Sequence, residues 1–132
     1  MASDWAERIQ AGYESWNRGE APPRPPVEDF EFSPPPDLPG KRVYRGPGAL
    51  AEFAADLADS FDSHRVEPLG VEESGDHVIA RVRLTASGRH SGIDVEREEF
   101  HLWTFGPGGP RRVECFPTRA AALERADGDS TP

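Results

Sequence analysis

One cysteine, Cys115, is present, so no intrachain disulfide can form, which is compatible with a reducing compartment. Long apolar runs are missing. The amino-terminal MASDWAERIQ is charged and resembles neither a signal peptide nor a spanning helix, so a cytoplasmic chain with no membrane partner is expected. Positive charge is short as well: 15 Lys plus Arg stand against 24 Asp plus Glu, for a net charge of −9. Such a field repels nucleic acid and anionic lipid and favours neutral or cationic partners. Only 36% of the residues are hydrophobic, whereas thirteen glycines and fourteen prolines imply many turns around a compact core.

Cofactor signatures are also lacking. His64, His77, His90 and His101 show no ligand spacing, and no pair sits three to five apart on a helix, so no metal is expected. GPGGP joins two strand-like segments instead of leading into a helix, and YRGPG lacks the lysine-serine/threonine ending of a nucleotide loop. Both read as turns, and no cofactor is expected. There are no internal repeats.

At 132 residues the chain is one domain by length. Residues 1–126 form that domain, and residues 127–132, ADGDSTP without its first alanine, read as a disordered tail. Trp5, Ile9, Tyr13 and Trp16 recur at spacings of four, four and three, the face of an amphipathic helix ending near NRG. EAPPRPPVEDFEFSPPPDLPG follows, with room only for a short strand around Phe30 and Phe32 in an otherwise ordered wrapping loop. A second helix starts at Pro47 as a first helical position, with Leu50, Phe53, Ala54, Leu57 and Phe61 as its buried stripe.

From His64 the period changes. Val78, Ala80, Val82, Leu84 and Ala86 alternate with Ile79, Arg81, Arg83, Thr85 and Ser87, a long strand with one covered face, entered through the turn ESGDH. Further strands run from about Ile93 to Phe105 and from Arg112 to Phe116, and Thr118 caps a last short helix, RAAALERA. Helices, then a hairpin meander, then a helix make an α+β plan: a curved antiparallel sheet wrapped around the N-terminal helices, with a cone-shaped pocket between the layers.

REEFHLWTF is the informative stretch. Arg97, Glu99, His101, Trp103 and Phe105 share one strand face, and Glu96, Glu98, Phe100, Leu102 and Thr104 the other. Glu98 and Glu99 therefore point apart and cannot share a substrate. Residues two apart lie roughly 6.6 Å apart, within reach of long side chains, so Glu99 is placed to orient His101. Both faces carry large apolar groups, whereas one domain has helices for one face; a homodimer through the sheet face is the expected cover for the second.

NRG closing an aromatic first helix, VYRGPGALAEFAADL, VEREEFHLWTF and a last strand running into TRAAALERA together resemble the SnoaL-like branch of the nuclear transport factor 2-like superfamily, over about Trp5 to Ala126. The resemblance implies a cone fold with a helix-lined pocket, and a set of activities that includes ketosteroid isomerases, polyketide cyclases, dehydratases and epoxide hydrolases beside members without catalysis. By the resemblance, Tyr13 matches the isomerases' oxyanion-donating tyrosine, and His101 falls where they carry a protonated aspartate. Ser33 stands at their general base, which argues against steroid-type isomerisation; APPRPP replaces the usual second helix. In the cyclases the acid/base is a carboxylate on the long strands, for which Glu99 or His101 is a loose substitute.

Two readings follow. In the first, the cone binds a small, neutral, largely apolar cyclic compound and performs cofactor-free proton transfer of isomerase, cyclase or dehydratase type. Tyr13 and His101 are then the candidate catalytic residues, Tyr13 donating to an oxyanion and His101 moving the proton, with Trp16, Phe32, Phe53, Leu57, Glu99 and Trp103 as candidate ligand contacts. Each has a plainer alternative: His101 as a buried histidine bonded to Glu99 or Tyr13, Tyr13 as a core residue with its hydroxyl at the rim, the apolar residues as core, and Cys115 as a buried filler. In the second reading the chain is a non-catalytic dimeric binding or assembly module whose cone is filled by side chains.

Overall fold

A computed structural model describes residues 2–20, 27–38, 40–88, 94–106 and 108–129. Among them, three helices and six strands follow in the order α1 (Ala2–Asn17), β1 (Glu31–Ser33), β2 (Tyr44–Arg45), α2 (Ala49–Ser60), β3 (Phe61–Ser74), β4 (His77–Gly88), β5 (Asp94–Gly106), β6 (Gly109–Phe116) and α3 (Arg119–Asp129).

α1 presents Ile9 and Tyr13, both buried, and the half-buried Trp16 on one face, as the spacing requires; the Trp5 side chain lies outside the described residues. The helix stops at NRG through a paired closure. Gly19, at φ 72°, lets its own N–H reach the Trp16 carbonyl at 3.0 Å and that of Glu20 reach Ser15 at 2.9 Å. Just before this stop, the Asn17 amide exchanges two 2.8 Å hydrogen bonds with the backbone N–H and C=O of Val66. Asn17 thus imitates a strand partner on β3, the sheet's edge, and pins α1 there.

α2 begins at Ala49, two residues later than the proline suggested. The Ala49 N–H bonds back to the Gly46 carbonyl at 3.1 Å, so Pro47 takes the second position of a β-turn, which its fixed φ also suits. Ala49, Phe53 and Leu57 are buried on this helix, whereas Leu50 and Ala54 are half-buried.

The sheet runs β2-β1-β6-β5-β4-β3. β3 to β6 form the meander of long antiparallel strands, with Gly75 at φ 61° opening the two-residue turn into β4. β1 pairs antiparallel with β2 but parallel with β6, which closes the proline-rich segment onto the sheet. β2 was not expected: two residues are too few for a period. It is held by Tyr44, whose hydroxyl donates to Asp56 at 2.6 Å and accepts the Lys41 N–H at 2.9 Å. Gly40, at φ 109°, allows that approach, because a Cβ there would lie 2.2 Å from the Tyr44 oxygen.

The result is an open, cone-like α+β arrangement, with α1 and α2 against the concave face of the sheet. The convex face differs from expectation. Ala122 and Ala126 of α3 pack on Ile79 and Leu102, all essentially inaccessible, with Phe100, Phe116 and Leu123 at the margin. The chain therefore covers this part of its second face itself, which explains why β4 is buried on both sides from His77 to Ala80 before alternation begins. The argument for a partner subunit loses its force at Leu102.

Thr118 caps α3 as expected, its Oγ1 accepting the Ala121 N–H at 3.1 Å. The helix continues to Asp129, into the segment read as a tail. APPRPP, His90, Ile93 and residues 130–132 lie outside the described residues. Among the described residues, no helix is long and apolar enough to cross a membrane.

Candidate active site

The site is built by register. On β4, Val82, Ala80 and Val78 lie opposite Glu99, His101 and Trp103 of β5, and on β6 Cys115 and Val113 lie opposite His101 and Trp103. Small and aliphatic neighbours on both sides leave the three larger β5 side chains standing into the cone, where α1 lowers Tyr13 onto them.

Four side chains then form a chain of hydrogen bonds. The Tyr13 hydroxyl lies 2.7 Å from His101 Nδ1, and His101 Nε2 lies 2.7 Å from Glu99 Oε2. The Trp103 indole N–H donates to the Tyr13 oxygen at 3.1 Å. An indole N–H can only donate, so the Tyr13 oxygen accepts there; a carboxylate can only accept, so His101 donates to Glu99 through Nε2. A neutral ring is then the Nε2–H tautomer, and its Nδ1 accepts the Tyr13 proton. Both ring nitrogens are spent, as the plainer reading of His101 required.

Glu99 is 4% exposed, so its charge demands partners. Burial pushes its carboxyl up, but the hydrogen bond from His101, with the Arg97 guanidinium behind it, outweighs this and holds it below the usual carboxylate range. Arg97 Nε donates to Glu99 Oε1 at 3.3 Å, and its two terminal nitrogens clasp Asp37, Nη2 at 3.0 Å. The chain thus runs from the surface carboxylate of Asp37 to the interior hydroxyl of Tyr13. Burial, and secondarily the charge of Glu99, raises the Cys115 thiol, which hydrogen-bonds that carboxylate. Burial likewise raises the Tyr13 phenol well above its ordinary value.

All eight candidate residues, Tyr13, Trp16, Phe32, Phe53, Leu57, Glu99, His101 and Trp103, line one cavity of about 460 Å³. That volume suits a small organic molecule. Trp16 stacks on Phe53 with ring centroids 5.9 Å apart, and Phe53 meets Phe32 at 4.8 Å, so the wall opposite β5 is aromatic. Ser33, on the alternate face of β1 from Phe32, does not line the cavity.

Sequence reasoning placed Arg97 on the face of Glu99 by parity but gave no site role to Cys115, Asp37 or His64. Cys115 became legible only with the β5–β6 register and His64, a cavity-lining residue, with that of β3 and β4, whereas Asp37 came from a proline-rich loop without a periodic signal. The donor atoms of Glu99, His101 and Cys115 also lie within 4.8 Å of one another, a spacing at which a metal can be held. A search for helical ligand pairs misses such a strand-borne cluster. Here the His101 nitrogens are committed to Tyr13 and Glu99, so a cation would have to displace bonds already made.

No protein-family model matches the chain, and no curated protein matches it. Solved structures do. TerC, co-crystallized with polyporic acid, superposes with TM-score 0.74 at 22% identity over 91% of this chain and 95% of that one. An NTF2-like protein from Burkholderia thailandensis gives 0.76 at 18% identity, covering 96% and 98%. A candidate SnoaL-like polyketide cyclase from Jannaschia sp. gives 0.68 at 19% identity, covering 98% and 94%. Across this set the shared property is the fold: the chain has the NTF2-like cone of the SnoaL-like and polyketide cyclase-like structures.

Proposed function

We propose that the cavity binds a neutral, largely apolar cyclic compound and that Tyr13 exchanges a proton with it without a cofactor. The hydrogen-bond chain Glu99–His101–Tyr13, ending on the cavity, carries this reading. It also reassigns the roles. Tyr13 accepts from Trp103 and donates inward, so at rest it offers the cavity a lone pair, not a proton.

Tyr13 Oη takes a proton from an acidified carbon or hydroxyl of the substrate as its own proton passes to His101 Nδ1. The imidazolium formed is stabilised by Glu99, and the substrate is left as its anion. Return of the proton through Tyr13 to another atom completes an isomerisation; its return to a departing hydroxyl, which leaves as water, gives dehydration, and its return to the alkoxide formed when the carbanion attacks an internal carbonyl gives cyclisation. His101 acts through Tyr13 and does not itself touch substrate. Co-crystallization of the similarly folded TerC with polyporic acid supports treating the cone as a ligand site.

The saturated hydrogen bonds of His101 favour a second reading, a binding module without turnover. The cavity of about 460 Å³ argues against the version with a filled cone. Under either reading the chain is cytoplasmic and has no nucleic-acid or membrane partner. It forms a homodimer through the convex sheet beyond α3, around the half-buried Phe100.

Proton exchange at C1 of 2-tetralone in D2O, followed by NMR, tests the catalytic reading. Exchange above the buffer rate that Tyr13→Phe abolishes supports it; equal rates for natural chain and variant leave binding alone.

A further inference from the structure

The cavity has a second polar end. His64 of β3 lies opposite Ala86, whereas His101 lies opposite Ala80, so the two histidines stand two strands apart and six residues apart along β4. On a flat sheet that is roughly 10 Å across and roughly 20 Å along, which curvature shortens. Both line the same cavity, and α1 bridges them: Tyr13 meets His101, and one turn later Trp16 meets His64 with ring centroids 5.4 Å apart.

The two ends differ in how well they are satisfied. Around His101 every donor has an acceptor. At the other end the Trp16 indole N–H is buried with no hydrogen-bond partner, and among the described residues His64 makes a ring contact with Trp16 but no hydrogen bond. A dry indole N–H carries an uncompensated desolvation cost, and among the described residues none bonds the indole nitrogen there. Burial lowers the His64 pKa, so its ring is neutral near pH 7 and has one N–H to give.

We infer that His64 and Trp16 form a second anchoring subsite for the ligand of the proposed proton-transfer pocket, and that the subsite takes a hydrogen-bond-accepting oxygen, such as a ketone carbonyl. The inference rests on that pocket reading and narrows it. The ligand is an elongated, mainly aromatic or polycyclic compound with an acidic proton at the Tyr13 end and an uncharged carbonyl at the other. A carboxylate is disfavoured, because neither His64 nor Trp16 supplies a positive charge at neutral pH. The Trp16–Phe53 stack provides the flat wall between the ends.

Calorimetric titration of the full chain with matched probes tests this. The probes are 4-hydroxybiphenyl and 4-acetyl-4'-hydroxybiphenyl, together with the p-terphenyl homologues of both, so that two spans are sampled. In one pair the ketone is expected to bind about fivefold more tightly than its one-oxygen counterpart. That ratio falls to near one in His64→Leu, is partly kept in His64→Gln, and falls in Trp16→Phe, which retains a ring and deletes only the N–H. A ratio near one in the natural chain for both spans, or a ratio that survives His64→Leu, overturns the subsite. Failure of the pocket reading looks different: 4-hydroxybiphenyl then does not bind at all, or binds Tyr13→Phe as well as the natural chain, and the subsite falls with it.

Discussion

Tyr13 and His101, 88 positions apart, share a buried hydrogen bond of 2.7 Å whose direction is set by a third residue. Because the Glu99 carboxylate can only accept, His101 donates to it through Nε2, and Nδ1 of the neutral ring is left to accept the tyrosine proton while Trp103 donates to the Tyr13 oxygen. One carboxylate therefore fixes the tautomer of the ring and, through it, the direction of the Tyr13 hydroxyl.

Tyr13→Phe tests that wiring on the protein itself. The ring remains, but Trp103 loses an acceptor and His101 a donor, both within the interior. A loss of about 1–3 kcal/mol in urea unfolding is expected. The His101 Nδ1 resonance should also shift in 15N spectra as it loses the Tyr13 donor, while Nε2 stays protonated toward Glu99; an unmoved Nδ1 resonance would mean that Tyr13 does not donate to it.

Glu99 makes the fold acid-sensitive, and the sign follows from its depressed carboxyl. A group whose folded pKa lies below its unfolded value of 4.5 adds stability above that value and loses it as pH falls through the lower, folded one. Glu99→Gln should be less stable than the natural chain near neutral pH and should show a flatter decline as pH falls below the ordinary carboxylate range. Parallel acid limbs for the two proteins in denaturant titrations would contradict the placement of Glu99.

Much of this site was legible in the chain because it is periodic. The 3.6-residue spacing placed Tyr13 and Trp16 on one face of α1, and the two-residue period placed Glu99, His101 and Trp103 on one face of β5. What periodicity lacks is register between elements. The contact of Cys115 with Glu99 depends on the β5–β6 pairing, which shifts between Thr104 and Phe105, and a one-residue slip would turn Cys115 away. The Asp37–Arg97 clasp joins a proline-rich loop to a strand 60 positions away and leaves no local trace. The cover of Leu102 by α3 was missed because a helix rich in alanine, RAAALERA, carries too few large side chains to announce a buried face; small residues are what close packing on Ile79 and Leu102 requires.

Arg97 has two roles that substitutions can separate. Its pair with Asp37 is mostly solvent-exposed on the aspartate side, so Asp37→Asn should change stability by less than about 1 kcal/mol. Its bond to Glu99 faces a buried charge, so Arg97→Leu should cost about 2 kcal/mol, more than Asp37→Asn. Pro35 and Leu38, flanking Asp37, line the cavity, so Asp37→Asn should raise both association and dissociation rates of 4-hydroxybiphenyl in stopped-flow fluorescence. Equal stability loss in the two variants would show that Arg97 serves the loop alone.

Leu102 and Phe100, two residues apart on the convex side of β5, separate what the chain covers from what a second copy would cover. Leu102 is sealed by Ala122 and Ala126 within the same chain, so Leu102→Ala should cost about 2–5 kcal/mol, and the drop in Tm should not vary with protein concentration. Phe100 is half-buried beside Ile79, Arg81 and Arg119, at the margin of α3. Phe100→Glu should therefore leave the circular dichroism spectrum of the fold in place while lowering the sedimentation coefficient at micromolar concentration from dimer to monomer. A natural chain that already sediments as a monomer removes the dimer. A Leu102→Ala penalty that shrinks at high concentration would return the covering role to a partner subunit and take it from α3.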